Sequence, residues 1–169
     1  VFAVLGVLQS FFTEGSACLG APVKDVLVSL ERAVTLASRD AHKIHMIEFK
    51  SLIDMLLECL LLDESNHRHG QEGHDALQEA SAGMIQELAL FGPGCAHLQS
   101  HRKVFSSLHR LTEVGTKVSK ERGAAALFEL DVEKSEAASL AGESAGAVGE
   151  SAIVGGTLPP VHVMMSYNW

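Results

Sequence analysis

The first residues to weigh for chemistry are the nine histidines. His67, His69 and His74 fall in one polar stretch, with Glu64, Glu72 and Asp75 close by. A His-x-His pair followed by a third His supplies a donor set that suits zinc. No Cys joins it and no periodic apolar pattern gives it a scaffold, so the stretch reads as a solvated, mobile loop. His42 and His45 lie three apart, and His97 and His101 four apart. Either pair can share a helix face, but neither has a carboxylate at matching spacing, so both read as surface or boundary residues. Cys18, Cys59 and Cys95 are an odd number at wide spacing, which gives neither a disulfide framework nor a CxxC site. Cys59 sits inside Met55-Leu-Leu-Glu-Cys-Leu-Leu-Leu62 and reads as a small packed apolar residue. Nucleophile and phosphate motifs are missing. There is no Gly-x-Ser-x-Gly, no Walker loop and no Gly-x-Gly-x-x-Gly opening a helix after a strand. The expectation is no catalytic, cofactor-binding or metal-ligating residues.

Charge narrows the partners. Lys and Arg number 13 against 21 Asp and Glu, for a formal net charge of −8. A nucleic-acid module needs a basic stripe to neutralise phosphates. Here the basic spots are short: His101-Arg102-Lys103, and Lys117 with Lys120 and Arg122. They read as solvated helix ends. Val1–Phe12 is too short to span a bilayer, which takes about 20 apolar residues, and it lacks the basic start of a signal peptide. Leu52–Leu62 is interrupted by Asp54 and Glu58. The expectation is no nucleic acid, no membrane and a reducing, cytoplasmic setting.

The elements that would position any site read as helices. From Val1 to about Asp131, apolar residues recur at three and four. Phe2, Leu5 and Leu8 to Phe12 give the end of one helix. Gly15–Gly20 reads as a loop. Pro22 suits the first turn of the next helix, which carries Val26, Leu27, Leu30, Val34 and Leu36. Asp40 is read as the N-cap of one long helix through Ile44, Phe49, Leu56 and Leu60, apolar nearly all round near its end and hence buried on more than one side. Asp63–Asp75 is the polar loop. A helix with Leu77, Ala80, Met84, Ile85 and Leu88 follows, stopped by Gly92-Pro93-Gly94. Val104, Phe105, Leu108 and Leu111 mark the next, with Gly115 as its C′ residue. A short helix around Gly123–Leu130 closes the series.

After Asp131 the composition changes. Ser135–Thr157 is mostly Ala, Gly, Ser and Glu, and buries too little to offset its ordering entropy. It reads as a flexible linker. Pro159-Pro160 ends it, and Val161–Tyr167 reads as a short buried strand. The only Tyr and Trp, Tyr167 and Trp169, fall within the last three residues. With Val1 at the start, both ends look like cuts through something longer.

Two segments repeat. Ser81-Ala-Gly-Met-Ile-Gln-Glu-Leu-Ala89 aligns with Gly123-Ala-Ala-Ala-Leu-Phe-Glu-Leu-Asp131 at an offset of 42 residues (81 to 123). Small residues come first, then an apolar pair, then Glu-Leu. A period of about 40–47 is that of armadillo and HEAT arrays, whose last helices pack closely enough to need Ala and Gly. Ala76–Ala89 and Ser119–Leu130 resemble the third helix of an armadillo repeat. Leu108–Ser119 is similar to the second helix and the turn before the third. The resemblance covers residues 40–131 and extends towards 1–39, with Asp63–His74 as an insertion in the first unit. A second, shorter resemblance lies in Val161-His-Val-Met-Met-Ser-Tyr-Asn-Trp169. It is similar to the opening strand of a TIR (Toll/interleukin-1 receptor) domain, with Ser166-Tyr167 matching and Asn168-Trp169 replacing the usual basic or polar pair.

The expectation is therefore an all-α, right-handed armadillo/HEAT-like helical repeat array, truncated, in residues 1–131. An Ala/Gly/Ser/Glu-rich linker would follow at 132–160, and the first strand of a TIR-like domain at 161–169. The resemblance implies a protein–protein interaction and regulatory scaffold of a TIR-containing signalling protein. Its partner would be another protein or the downstream TIR domain, with no catalysis of its own. It also implies an alternative, part of a TIR-type NAD-cleaving enzyme whose catalytic glutamate lies beyond Trp169. Ser166 and Tyr167 would then sit at the edge of that site. A third reading is an independent helical bundle that binds a partner helix. An uncapped apolar Val1–Phe12 would favour self-association.

Overall fold

The computed structural model describes residues 1–12 and 21–144, with side chains as far as Asp131. Among them are eight helices and no strand: α1 (Phe2–Ser10), α2 (Val23–Ala37), α3 (Asp40–Ile47), α4 (Leu52–Cys59), α5 (His74–Ala89), α6 (Gly92–Ser100), α7 (Val104–Val114) and α8 (Lys117–Ser144). The fold is all-α. The loop expected at Gly15–Gly20 lies outside the described residues. The strand expected at 161–169 and the linker beyond Ser144 lie outside them entirely.

The three longest helices form a row. α5 packs on α2 along one side and on α8 along the other. Their buried stripes correspond. Leu77, Ser81, Met84, Ile85 and Leu88 of α5 recur 42 residues on (77 to 119) as Ser119, Gly123, Ala126, Leu127 and Leu130 of α8, all buried. Val26, Leu30, Ala33 and Ala37 of α2 hold the positions of Leu77, Ser81, Met84 and Leu88 at a spacing of 51 (26 to 77). The wider first spacing is taken up by the turns between α4 and α5. α1, α4 and α7 each lie against the long helix that follows them. α3 and α6 touch one another and join successive pairs. One continuous core runs through all of this, from Leu5 and Leu8 to Leu127 and Leu130. Removing that much apolar surface from water is the main force holding the helices together.

Several local expectations need correction. The long helix expected from Asp40 is two helices, broken at Glu48–Ser51. Phe49 N–H donates to Met46 O and Leu52 N–H to Phe49 O, so the chain turns twice. Phe49 packs on the core. A straight helix would not let both segments bury their apolar faces. Asp40 is the first helical residue and not the cap. Arg39 stands at that position with extended backbone, and Asp40 instead meets Lys43 Nζ at 3.3 Å. Pro22 is the N-cap of α2 rather than a residue of its first turn. Gly92-Pro93-Gly94 does end α5, but it also opens α6, which the sequence reading passed over. Pro fits an N-terminal turn because its missing N–H would have no partner there. Gly94 lets α6 approach the end of α5, since a Cβ would collide with the backbone oxygen of Leu88. Gly115 closes α7 in extended rather than left-handed backbone, φ −69° and ψ 174°. The short helix expected at Gly123–Leu130 is α8, which begins at Lys117 and runs to Ser144. Its continuation past Asp131, in the stretch read as linker, is helical as far as Ser144, as its Ala and Glu favour.

Candidate functional site

The Asp63–Asp75 stretch is a chain of turns and not a formless loop. Asn66 N–H bonds to Asp63 O, His69 N–H to Asn66 O, Gln71 N–H to Arg68 O and His74 N–H to Gln71 O. Asp63 Oδ1 accepts the Ser65 amide at 2.9 Å, which holds the Asp63 carboxyl below its ordinary range. The pin is Arg68. Its side chain is 1% exposed. Nη1 donates to Glu58 Oε1 at 2.8 Å, Nη2 donates to the Phe11 carbonyl at 2.9 Å, and the guanidinium sits 4.8 Å from the Phe12 ring centre. The turns are thereby tied to α4 and to the end of α1.

These turns form one wall of a cavity of about 670 Å³. The chain just after α4, with α5, α7 and the Gly115-Thr116 turn before α8, forms the rest. Asp63, Glu64 and Asp75 bring carboxylates, His69 and His74 imidazoles, and Arg110 a guanidinium. The His69 and His74 rings are 5.6 Å apart, and His74 Nε2 lies 3.1 Å from Asp75 Oδ1. His67 is exposed and offers its carbonyl to Gln71 Nε2. Among the described residues no group of three or more His, Cys, Asp or Glu is placed to hold a metal ion. His67, His69 and His74 are therefore not gathered into one ligand set.

The cavity floor is fixed by Gln78. Its Nε2 donates to Leu60 O at 2.7 Å, and its Oε1 accepts Thr116 N–H at 3.1 Å and Ser119 Oγ at 2.9 Å. One buried amide thus joins α4, α5 and α8. Thr116 Oγ1 is itself taken up, donating to Glu79 Oε1 at 2.8 Å. What the cavity presents is hydrogen-bonding and charged surface on a floor held by the Gln78 bonds.

The other histidine pairs separate. His42 Nδ1 lies 3.0 Å from Leu36 O, and His45 Nδ1 lies 3.5 Å from Glu48 Oε2, so His45 does have a carboxylate three residues on, contrary to expectation. His101 Nε2 meets Asp54 Oδ1 at 3.3 Å across α4 and the end of α6, a partner that spacing along the chain does not reveal. His97 stays apart on α6. Cys59 is fully buried, and its thiol is pushed up to about 12 by burial, with Arg68 pulling the other way and Glu58 adding to the rise. It is inert packing. Cys59 and Cys95 are both buried and neither is in a disulfide.

The row of long helices offers a second surface. Arg122 of α8 reaches back over Gly83 of α5, where a Cβ would stand 2.5 Å from its Nη1, and donates to Glu79 O at 2.6 Å. A shallow hollow of about 350 Å³ beside it is lined from all three helices, by Glu31 and Thr35 of α2, Glu79 and Ala80 of α5, and Arg122 of α8. Sequence reasoning missed Arg68 and Gln78, and it read Arg122 as part of a solvated helix end, whereas Arg122 is half-buried and bonded to α5. Arg68 gave no signal, because its partner Phe11 is 57 residues away. Gln78 gave a weak one, as an amide beside the apolar stripe of its helix. Among the described residues no helix is long and apolar enough to cross a membrane. No protein-family model, no curated protein and no solved structure matches the chain.

Proposed function

We propose that this chain is an armadillo-like helical array that works as a protein-interaction and regulatory scaffold in a cytoplasmic TIR-containing signalling protein. The observation that carries the array reading is the row of α2, α5 and α8. Three helices share one buried stripe, and each has a shorter helix packed against it. Stacking of units that cannot bury their apolar faces alone is the principle of such arrays. The side-by-side helices leave a common surface, with the 350 Å³ hollow spanning all three. A partner protein or a TIR domain would lie across it. The TIR part rests on Ser166-Tyr167 and the apolar run before them.

Three measurements test this. Small-angle scattering should give an elongated particle, and a compact sphere would refute the array. Determining the reading frame on both sides of residues 1 and 169 tests the rest. A TIR domain following Trp169 supports the scaffold reading, and a frame without one removes the signalling assignment. Incubated with NAD, the chain by itself should give no turnover. Measurable cleavage would make it an enzyme and overturn the scaffold reading.

A further inference from the structure

We draw no further inference here: the strongest candidate, the cavity of about 670 Å³ between the Asp63–Gly73 turns and α7, carries nothing because the one buried polar side chain in its lining, Gln78, already has its partners in Leu60, Thr116 and Ser119, and nothing in the structure shows what the cavity would bind.

Discussion

Replacing Arg68 tests the account of the turns most directly. The guanidinium is 1% exposed, and two of its nitrogens make charge-assisted bonds, to Glu58 and to the Phe11 carbonyl. Each such bond contributes about 1.5–3 kcal/mol. Against this stands the cost of burying the charge, several kcal/mol. That cost is only partly relieved, because Nε has no hydrogen-bond partner. The Glu58 side chain is 41% exposed and can rehydrate when Arg68 is removed. The Phe11 carbonyl then loses its donor. Arg68→Ala removes bonds and stem together and leaves a void beside Phe12, so it should cost about 2–4 kcal/mol. Arg68→Met keeps the stem volume and removes the buried charge, so it should cost about 1–2 kcal/mol. Urea unfolding of both variants measures the difference. Limited proteolysis supplies the local readout, since cleavage between Asp63 and Gly73 should speed up in both. Equal destabilisation by Ala and Met would refute the argument that stem packing carries much of the effect. Unchanged proteolysis in both would refute the pin itself.

Other perturbations follow from the same geometry. Gln78→Met should destabilise by about 2–4 kcal/mol in urea unfolding, because the Leu60 carbonyl and the Thr116 amide lose their partner in a buried place. Gly83→Ala and Gly94→Ala should differ sharply in the same assay. A Cβ at Gly83 meets the flexible end of Arg122, and the gain of about 1 kcal/mol in helix propensity offsets its withdrawal. A Cβ at Gly94 meets the fixed oxygen of Leu88 and should cost more than about 2 kcal/mol. Cys59 should resist alkylation in the folded chain at pH 8 and react once urea unfolds it. Its folded pKa lies above the ordinary 9.0, so the folded state holds the thiol proton more tightly. That contribution is complete below pH 9 and falls by about 1.4 kcal/mol per unit as pH rises towards 12, which unfolding curves at alkaline pH will record.

The helical class was legible in the sequence because burial of one helix face imposes a period of 3.6, and the core residues keep it. Leu77, Met84, Ile85 and Leu88 are buried as their spacing requires, and so are Leu127 and Leu130. The 42-residue correspondence of α5 and α8 was legible for the same reason, since equivalent packing positions demand equivalent residues. Breaks were harder to read. Glu48–Ser51 contains neither Gly nor Pro, so nothing local marks the turn between α3 and α4. It exists because Phe49 and Leu52 both reach the core. Gly92-Pro93-Gly94 carries a stop signal that is equally a start signal, and the closeness of α6 to Leu88 decides between them.

The site divides in the same way. Composition and spacing by themselves determined that Asp63–Asp75 is polar and rich in titratable groups, but not that it is a chain of pinned turns. They also determined that Cys59 belongs among apolar neighbours, because such patterns depend on nearby residues. Only the tertiary structure decided that Arg68 is buried, that Gln78 joins three helices and that His101 faces Asp54. Each of these depends on groups brought together from distant parts of the chain. A charged or aromatic side chain has the same sequence signature buried or bare, and its surroundings settle which.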